Sequence, residues 1–496
     1  MTAAGEMTTV EQTTGYEAVI GLEVHVELST ATKMFCGCAI AFGGEPNSRT
    51  CPVCLGQPGS LPVPNARAIE YAITLGLALH CEVIDRSQFH RKNYFYPDMP
   101  KNYQISQYDV AICERGHLDV EADGQRSRVG IHRVHMEEDT GKTIHVGRSG
   151  RIHGADYSLV DYNRAGIPLL EVVSEPDLRS AAEAQAYLSE LRAIVLALGI
   201  SDARLEEGSM RCDANISLRR RGDTVYGTRV EVKNLNSVRS LGRAITYEIA
   251  RQTEIVSAGD MVVQETRHWD EDEGRTSTLR RKEEVFDYRY FPDPDLVPVE
   301  PDRAWVSELQ RALPELPADT RERLRATYGL DPERAGTLVE HGLIGVLEAA
   351  AAAGAQPADA AKWLTNEVLG WSNEHGVRPA DLQLSGADLA ALLRLIADGA
   401  LSTKLAREVL DGVLAGEGSP QAVAQARGLS QVSDTGELER MIEDAIAAQP
   451  DAAERVRAGN HKAIGALVGT VMKASRGQAN PQMVNQMLRQ RLTGAS

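Results

Sequence analysis

The sequence predicts an α+β protein: a largely antiparallel sheet with a polar face, followed by all-α domains. Three observations carry this expectation. Runs of alternating apolar and polar residues recur between residues 18 and 290, and helical patterns interrupt them at only a few places. Beyond Pro301 the composition shifts to Ala, Leu, Glu and Arg at helical spacing. Strict alternation leaves one sheet face polar, which suits antiparallel pairing rather than a parallel sheet covered on both sides.

Met1 to Gly15 is polar and lacks a basic segment followed by an apolar one, so it reads as a disordered tail and not as a secretory signal. The clearest strand follows at Ile20–Leu28, where Leu22, Val24, Val26 and Leu28 alternate with Glu23, His25 and Glu27. Val129–Asp139, Leu169–Ser174, Arg211–Leu218 and Thr228–Lys233 repeat the pattern. Helices are expected over Asn65–His80 and Ser180–Leu198, the second opened by a capping-box spacing (Ser180, Glu183) and closed at Gly199. Four prolines in the segment 291–301 read as a stiff linker. A further break falls at Gly416-Glu-Gly-Ser-Pro420. The expected organisation is a tail over 1–15, a sheet domain over 16–293, a helical domain over 294–410 and a small helical domain over 411–496.

The formal net charge of −17 argues against general nucleic-acid affinity. From Arg455 to the C-terminal end, however, stand Arg455, Arg457, Lys462, Lys473, Arg476, Arg489 and Arg491 with no acidic residue. That stretch is either a polyanion-binding surface or a solvated helical face. No apolar run is long enough for a membrane span, and the cytoplasm is the expected location. Cys36, Cys38, Cys51 and Cys54 form a C-x-C…C-x-x-C cluster whose spacing suits tetrahedral Zn²⁺. Four thiolates close the coordination sphere, so such an ion staples a loop.

Several strands carry chemistry-bearing groups on the polar face. Glu23, His25 and Glu27, then the acidic cluster His135-Met-Glu-Glu-Asp139, then Glu171, supply carboxylates and an imidazole for Mg²⁺ or Mn²⁺. Strand register decides whether Glu137 or Glu138 joins them. Thr140-Gly-Lys-Thr143 imitates a Walker A end, but Met136 stands where the first glycine is required, so Lys142 serves no P-loop. Asp161, Asn163 and Arg164, then Asp213 and Asn215, then Glu231 and Lys233, complete a concave polar surface suited to nucleotide chemistry without a P-loop. A sheet face opening onto a subunit interface has the same pattern.

The strings Ile20–Leu28, His135–Lys142, Asp161–Leu169, Arg211–Ser217, Glu231–Ser237 and Tyr288–Asp295 resemble the GatB/GatE family, on its GatB side. Gly469–Lys473 and Gly477–Pro481 are similar to its YqeY-like tail. The match runs in order from about residue 16 to the end, and the insertion of the archaeal GatE branch has no room here. The resemblance implies a cradle domain related to glutamine synthetase and guanido kinases, then a helical domain and a tRNA-binding tail. It implies ATP-dependent phosphorylation of the side-chain carboxylate of Glu-tRNA(Gln) or Asp-tRNA(Asn). Ammonia released from glutamine by an amidase (A) partner, braced by a small (C) partner, then makes the amide. By resemblance Glu23, His25, Glu137, Glu138 and Glu171 are the metal candidates, and Glu23, His25, Glu138 and Lys142 the catalytic ones. Lys142, Asn163, Arg164, Asp213, Asn215 and Lys233 are candidates for nucleotide or acceptor-end contacts. Arg455, Arg457, Lys462, Lys473 and Arg476 are candidates for tRNA, and the zinc cluster is structural. A non-catalytic tRNA-binding scaffold is the rival reading, and the sequence does not choose between the two tRNA species.

Overall fold

The computed structural model describes residues 15–147, 154–281, 287–429, 435–475 and 479–493. The expected tail, apart from Gly15, and the candidate Arg476 lie outside them. The chain divides into two units, residues 1–317 and 318–496.

The strands of the first unit are β1 (Tyr16–Glu27), β2 (Glu82–Val83), β3 (His90–Asn93), β4 (Tyr103–Ser106), β5 (Cys113–Ala122), β6 (Gln125–Glu138), β7 (Lys142–Gly147), β8 (Ala155–Asp161), β9 (Pro168–Ser174), β10 (Met210–Arg220), β11 (Val230–Leu235), β12 (Glu265–Asp270), β13 (Arg275–Arg281) and β14 (Phe291–Pro292). Twelve of them form one sheet, with β13-β12-β11-β10-β1-β9-β6-β4-β3-β14 as its main path, β5 beside β6 and β2 beside β5. Its pairs are antiparallel except β11–β12. β7 and β8 stand apart as a two-stranded ribbon.

The alternation of β1 explains its central place. Ile20, Leu22, Val24 and Val26 are fully buried, whereas Glu23, His25 and Glu27 on the opposite face are half-buried. The apolar face packs on α1 (Ala66–Ala78), α2 (Ala181–Ala197) and α3 (Val238–Ser257), where Ile73, Leu188, Leu191, Leu241 and Ile245 share its core. Asn65 caps α1 by accepting from the Arg67 and Ala68 amides. Ser180 accepts from the Glu183 amide at 3.1 Å, and the Glu183 carboxylate reaches back to the Arg179 amide at 2.6 Å. Gly199, at φ +65°, supplies the left-handed turn that ends α2.

The proline-rich segment is docked rather than free. Phe291 and Pro292 pair with Arg91 and His90, buried Asp293 accepts from Arg91 Nε at 2.9 Å, and Val299 bridges Ser87. Proline at an edge position leaves no ladder donor missing. Helix α4 (Arg303–Arg311) then ends this unit.

The second unit is helical among its described residues and has two cores. Leu338, Leu347, Leu364, Leu389 and Val409 belong to the first, which also takes in Val413, Leu414 and Val423. Leu438, Val456, Leu467, Val484 and Leu488 belong to the second. Among the described residues no helix is long and apolar enough to cross a membrane.

Candidate functional site

Register assembles the first cluster. β9 lies between β1 and β6, and pairing sets Glu171 opposite both His25 and His135. Glu171 Oε2 is 3.4 Å from His25 Nε2 and 3.1 Å from His135 Nε2. His135 Nε2 is also 3.3 Å from Glu137 Oε1, which accepts from Ser106 Oγ at 2.8 Å. One ligand atom each from His25, Glu137 and Glu171 lies within 4.8 Å of the others. Burial disfavours charge throughout this cluster, yet the groups compensate one another. The His135 imidazole is raised to about 9 by Glu171 and Glu137 against its burial. Glu137 is lowered to about 2, since His135 and Lys92 outweigh burial, and Glu171 is held well below the carboxylate range by His135 and His25.

The second cluster lies across β1. Glu23 faces Asp213 and Asn215 faces Glu231. Asn215 Nδ2 donates to Glu23 at 2.9 Å, while Lys233 pairs with Asp213 and, at 2.8 Å, with Glu231. Glu23, Asp213 and Glu231 also converge within 4.8 Å. Burial, followed by the neighbouring carboxylates, raises the Glu23 pKa. Lys233 is raised by Asp213 and Glu231 in spite of burial.

A third group closes the end of the sheet. Buried Asp139 receives Arg211 at 3.0 Å and Arg164 at 3.4 Å. Burial and the adjoining Asp139 push Glu27 up to about 8, whereas Arg211 and Arg164 outweigh burial and hold Asp139 down. A cleft of about 780 Å³ opens here, lined by Glu27, Arg49, Lys142, Arg164 and Arg204 among others. A second, aromatic hollow of about 1060 Å³ includes Tyr94, Phe95, Tyr288 and Phe291.

The remaining candidates are placed differently. Glu138 turns away from Glu137, as alternation requires, and is buried against Lys101 and the Ile105 amide at 2.9 Å. Lys142 is exposed at the start of the β7–β8 ribbon, opposite Asp161. Asn163 and Arg164 lie in the turn between β8 and β9, and Asn163 holds the Arg49 amide at 2.8 Å and the Glu45 carbonyl at 2.8 Å. In the helical unit Arg455, Arg457, Lys462 and Lys473 are exposed. The sequence names His135, Asp139 and Glu231 only as members of polar strings and passes over Arg211, although each lies in or beside an alternating run. The usable signal is the two-residue period, which aligns His135 with Glu137 and Arg211 with Asp213.

The four cysteines also converge, with their sulfurs within 4.8 Å of one another. Tetrahedral zinc with bonds of about 2.3 Å separates its sulfurs by roughly 3.8 Å, so the site fits with a small contraction. Cys54 is lowered to about 5 by the Cys36 thiol, with burial opposing and the Cys51 amide and Lys33 assisting. Cys38 is raised to about 11 by burial and Cys51. For Mg²⁺ or Mn²⁺, the carboxylate and imidazole donors converging on β1 are a suitable set.

Comparison with known proteins defines the class. Residues 18–307 match the family model described as GatB/GatE catalytic domain, and residues 345–492 match the GatB domain. The protein is an enzyme, a ligase that forms carbon–nitrogen bonds. A relative from Thermobifida fusca (strain YX), named as the B component of aspartyl/glutamyl-tRNA(Asn/Gln) amidotransferase, is 56% identical over 488 residues, covering 96% of this chain and 94% of its own. A relative of the same name from Frankia casuarinae is 55% identical over 483 residues, 96% of each chain. Another, from Carboxydothermus hydrogenoformans, is 49% identical over 478 residues, 96% of this chain and 99% of its own. The chain belongs to the GatB/GatE family.

Proposed function

We propose that this chain is the GatB component of a tRNA-dependent amidotransferase. It phosphorylates the side-chain carboxylate of Glu-tRNA(Gln) or Asp-tRNA(Asn) with ATP and amidates it with ammonia from a partner amidase. The observation that carries the reading is the row His25–Glu171–His135–Glu137, with successive contacts of 3.1 to 3.4 Å on a half-buried sheet face. A carboxylate is a poor acceptor for ammonia, whereas an acyl phosphate carries a good leaving group. Forming one is chiefly a matter of position and charge.

His25, Glu137 and Glu171 are the residues that would hold Mg²⁺ or Mn²⁺, with Glu23, Asp213 and Glu231 as a second set. Bound there, the ion would supply charge neutralisation at phosphate oxygens. His135 keeps Glu137 and Glu171 oriented from the buried side, and Lys92 offsets their charge. Arg164 and Arg211, both held by Asp139, present guanidinium groups at the cleft end of the sheet. Lys142 and Asn163 are reserved for nucleotide or acceptor-end contacts near that cleft. Glu138, locked on Lys101, serves the site from the core side of the sheet.

In this reading the sheet is the glutamine synthetase-like cradle, the cysteines hold structural zinc, and Arg455, Arg457, Lys462 and Lys473 grip the tRNA backbone. The amidase and the small bracing protein complete a cytoplasmic heterotrimer. The relatives' shared name supports the assembly and the substrate.

The test supplies the assembled complex with Mg²⁺-ATP, Glu-tRNA(Gln) and ammonium in place of glutamine. Wild type should form Gln-tRNA, and His25→Ala should lose it while retaining tRNA affinity. Equal activity in both would favour the scaffold reading and remove His25 from the mechanism.

A further inference from the structure

Lys33 is the buried cation that the reaction does not use. It is 1% exposed, and its ammonium donates to the Tyr162 carbonyl at 3.1 Å and approaches Cys54 Sγ at 3.8 Å. Among the described residues no carboxylate pairs with it. A buried ammonium facing one carbonyl and one sulfur calls for an opposing charge close by, because burial of an uncompensated charge is costly. A Cys₄ zinc centre provides that charge, since four thiolates around Zn²⁺ leave it doubly negative. The two features explain each other.

The same loop is laced to the turn that carries Arg164. Asn47 donates its amide to Asp161 at 2.9 Å, accepts from the Tyr162 amide at 2.7 Å and donates from its side chain to the Val160 carbonyl at 3.1 Å. The Met34 amide donates to the Gly166 carbonyl at 2.8 Å. Gly166 sits at φ +87°, and a Cβ there would stand 3.4 Å from Lys33 Cδ, so the turn is shaped against the lysine stem. From this turn Arg164 reaches Asp139 and the carbonyls of Thr140 and Gly141 at 3.1 and 3.3 Å.

We propose that Lys33 is the counter-charge of a zinc-loaded Cys36–Cys38–Cys51–Cys54 centre and ties it to the Tyr162–Gly166 turn, so that the metal state of the loop positions Arg164 at the cleft. Lys33 is thus a positioning residue, and the cysteine cluster does more than staple its own loop. The role of Arg164 rests on the proposed reaction; the link between metal and turn does not.

The experiment follows the full chain as wild type, Lys33→Met and Lys33→Arg, each zinc-loaded, with zinc-stripped wild type alongside. Zinc release into a chromogenic chelator and amide hydrogen exchange over residues 160–167 are recorded. Val24 and Val26 on the buried sheet serve as the control for an intact fold. Lys33→Met should release zinc about tenfold faster or more, the size usual for losing an outer-sphere partner. It and the stripped wild type should lose protection at Tyr162 and Gly166 but not at Val24 and Val26. Lys33→Arg should restore both readouts. Unchanged zinc release in Lys33→Met would overturn the counter-charge, and protection that survives zinc removal would overturn the link to the turn. Neither readout needs ATP or tRNA, so failure of the proposed reaction is separable. In the assembled complex, Lys33→Met should raise the KM for ATP more than it lowers kcat, and unchanged values of both would overturn the positioning of Arg164.

Discussion

Replacing His135 by glutamine tests the charge arrangement of the central row. His135 is 2% exposed, and its Nε2 meets Glu171 at 3.1 Å and Glu137 at 3.3 Å. Burial disfavours the imidazolium, but the two carboxylates prevail and lift its pKa from 6.5 to about 9. At about 1.4 kcal/mol per pH unit, that rise of about 2.5 is worth roughly 3 kcal/mol. Because the folded value lies above the unfolded one, this stability is fully present below about pH 6.5 and is lost as pH rises through about 9. His135→Gln keeps a donor of similar size and removes the charge. In chelator-treated full chain, urea unfolding followed by circular dichroism should find the variant less stable at pH 6. The gap should shrink by roughly 3 kcal/mol by about pH 9.5. A gap that stays constant across this range would refute the imidazolium. His135 would then be neutral with its proton on Nε2, which its Nδ1, without a partner among the described residues, also allows.

Lys233→Met leaves Glu23, Asp213 and Glu231 converging without their cation. Lys233 is a third exposed, so the loss in chelator should be only about 1 kcal/mol. Mn²⁺ should then raise the thermal midpoint of the variant more than that of wild type; the same Mn²⁺ response in both would remove this cluster as a cation site. In the helical unit, Arg455→Ala and Lys473→Ala should each lower the slope of log affinity for tRNA against log salt by about one or a little less. A slope unchanged in either variant would take that residue off the tRNA surface.

Much of the sheet was legible because alternation is a local property. Ile20 to Leu28 states its own two faces, and β1 buries Leu22, Val24 and Val26 while leaving Glu23, His25 and Glu27 half-buried. Asp213 and Asn215 on β10, and Glu231 and Lys233 on β11, come to one face for the same reason. Capping was legible as well: Ser180, Glu183 and Gly199 mark the ends of α2 through bonds within a few residues. The segment 291–301 reads only as a linker in sequence, because what docks it lies far away in the chain. Arg91, about 200 residues earlier, meets both Asp293 and Asp295.

The site was legible only up to the point where register takes over. Within β6 the two-residue period puts His135 with Glu137 and Met136 with Glu138, but nothing local says which pair faces the polar side. That choice is made by partners remote in sequence. Ser106 and Gln104 on β4 hold Glu137, and Lys101 with the Ile105 amide holds Glu138. A slip of one residue would bury His135 in the apolar layer occupied by Val134 and Met136 and would turn those two apolar side chains to the polar face. The two halves of the register therefore enforce each other. The same reasoning separates Lys142, Asn163 and Arg164 from the metal-candidate rows: their strings adjoin the sheet strands, but their backbone belongs to the β7–β8 ribbon and the turn after it. Proximity in sequence to a site strand places a residue at the rim, and only ladder pairing across β1, β6, β9 and β10 places one in the row.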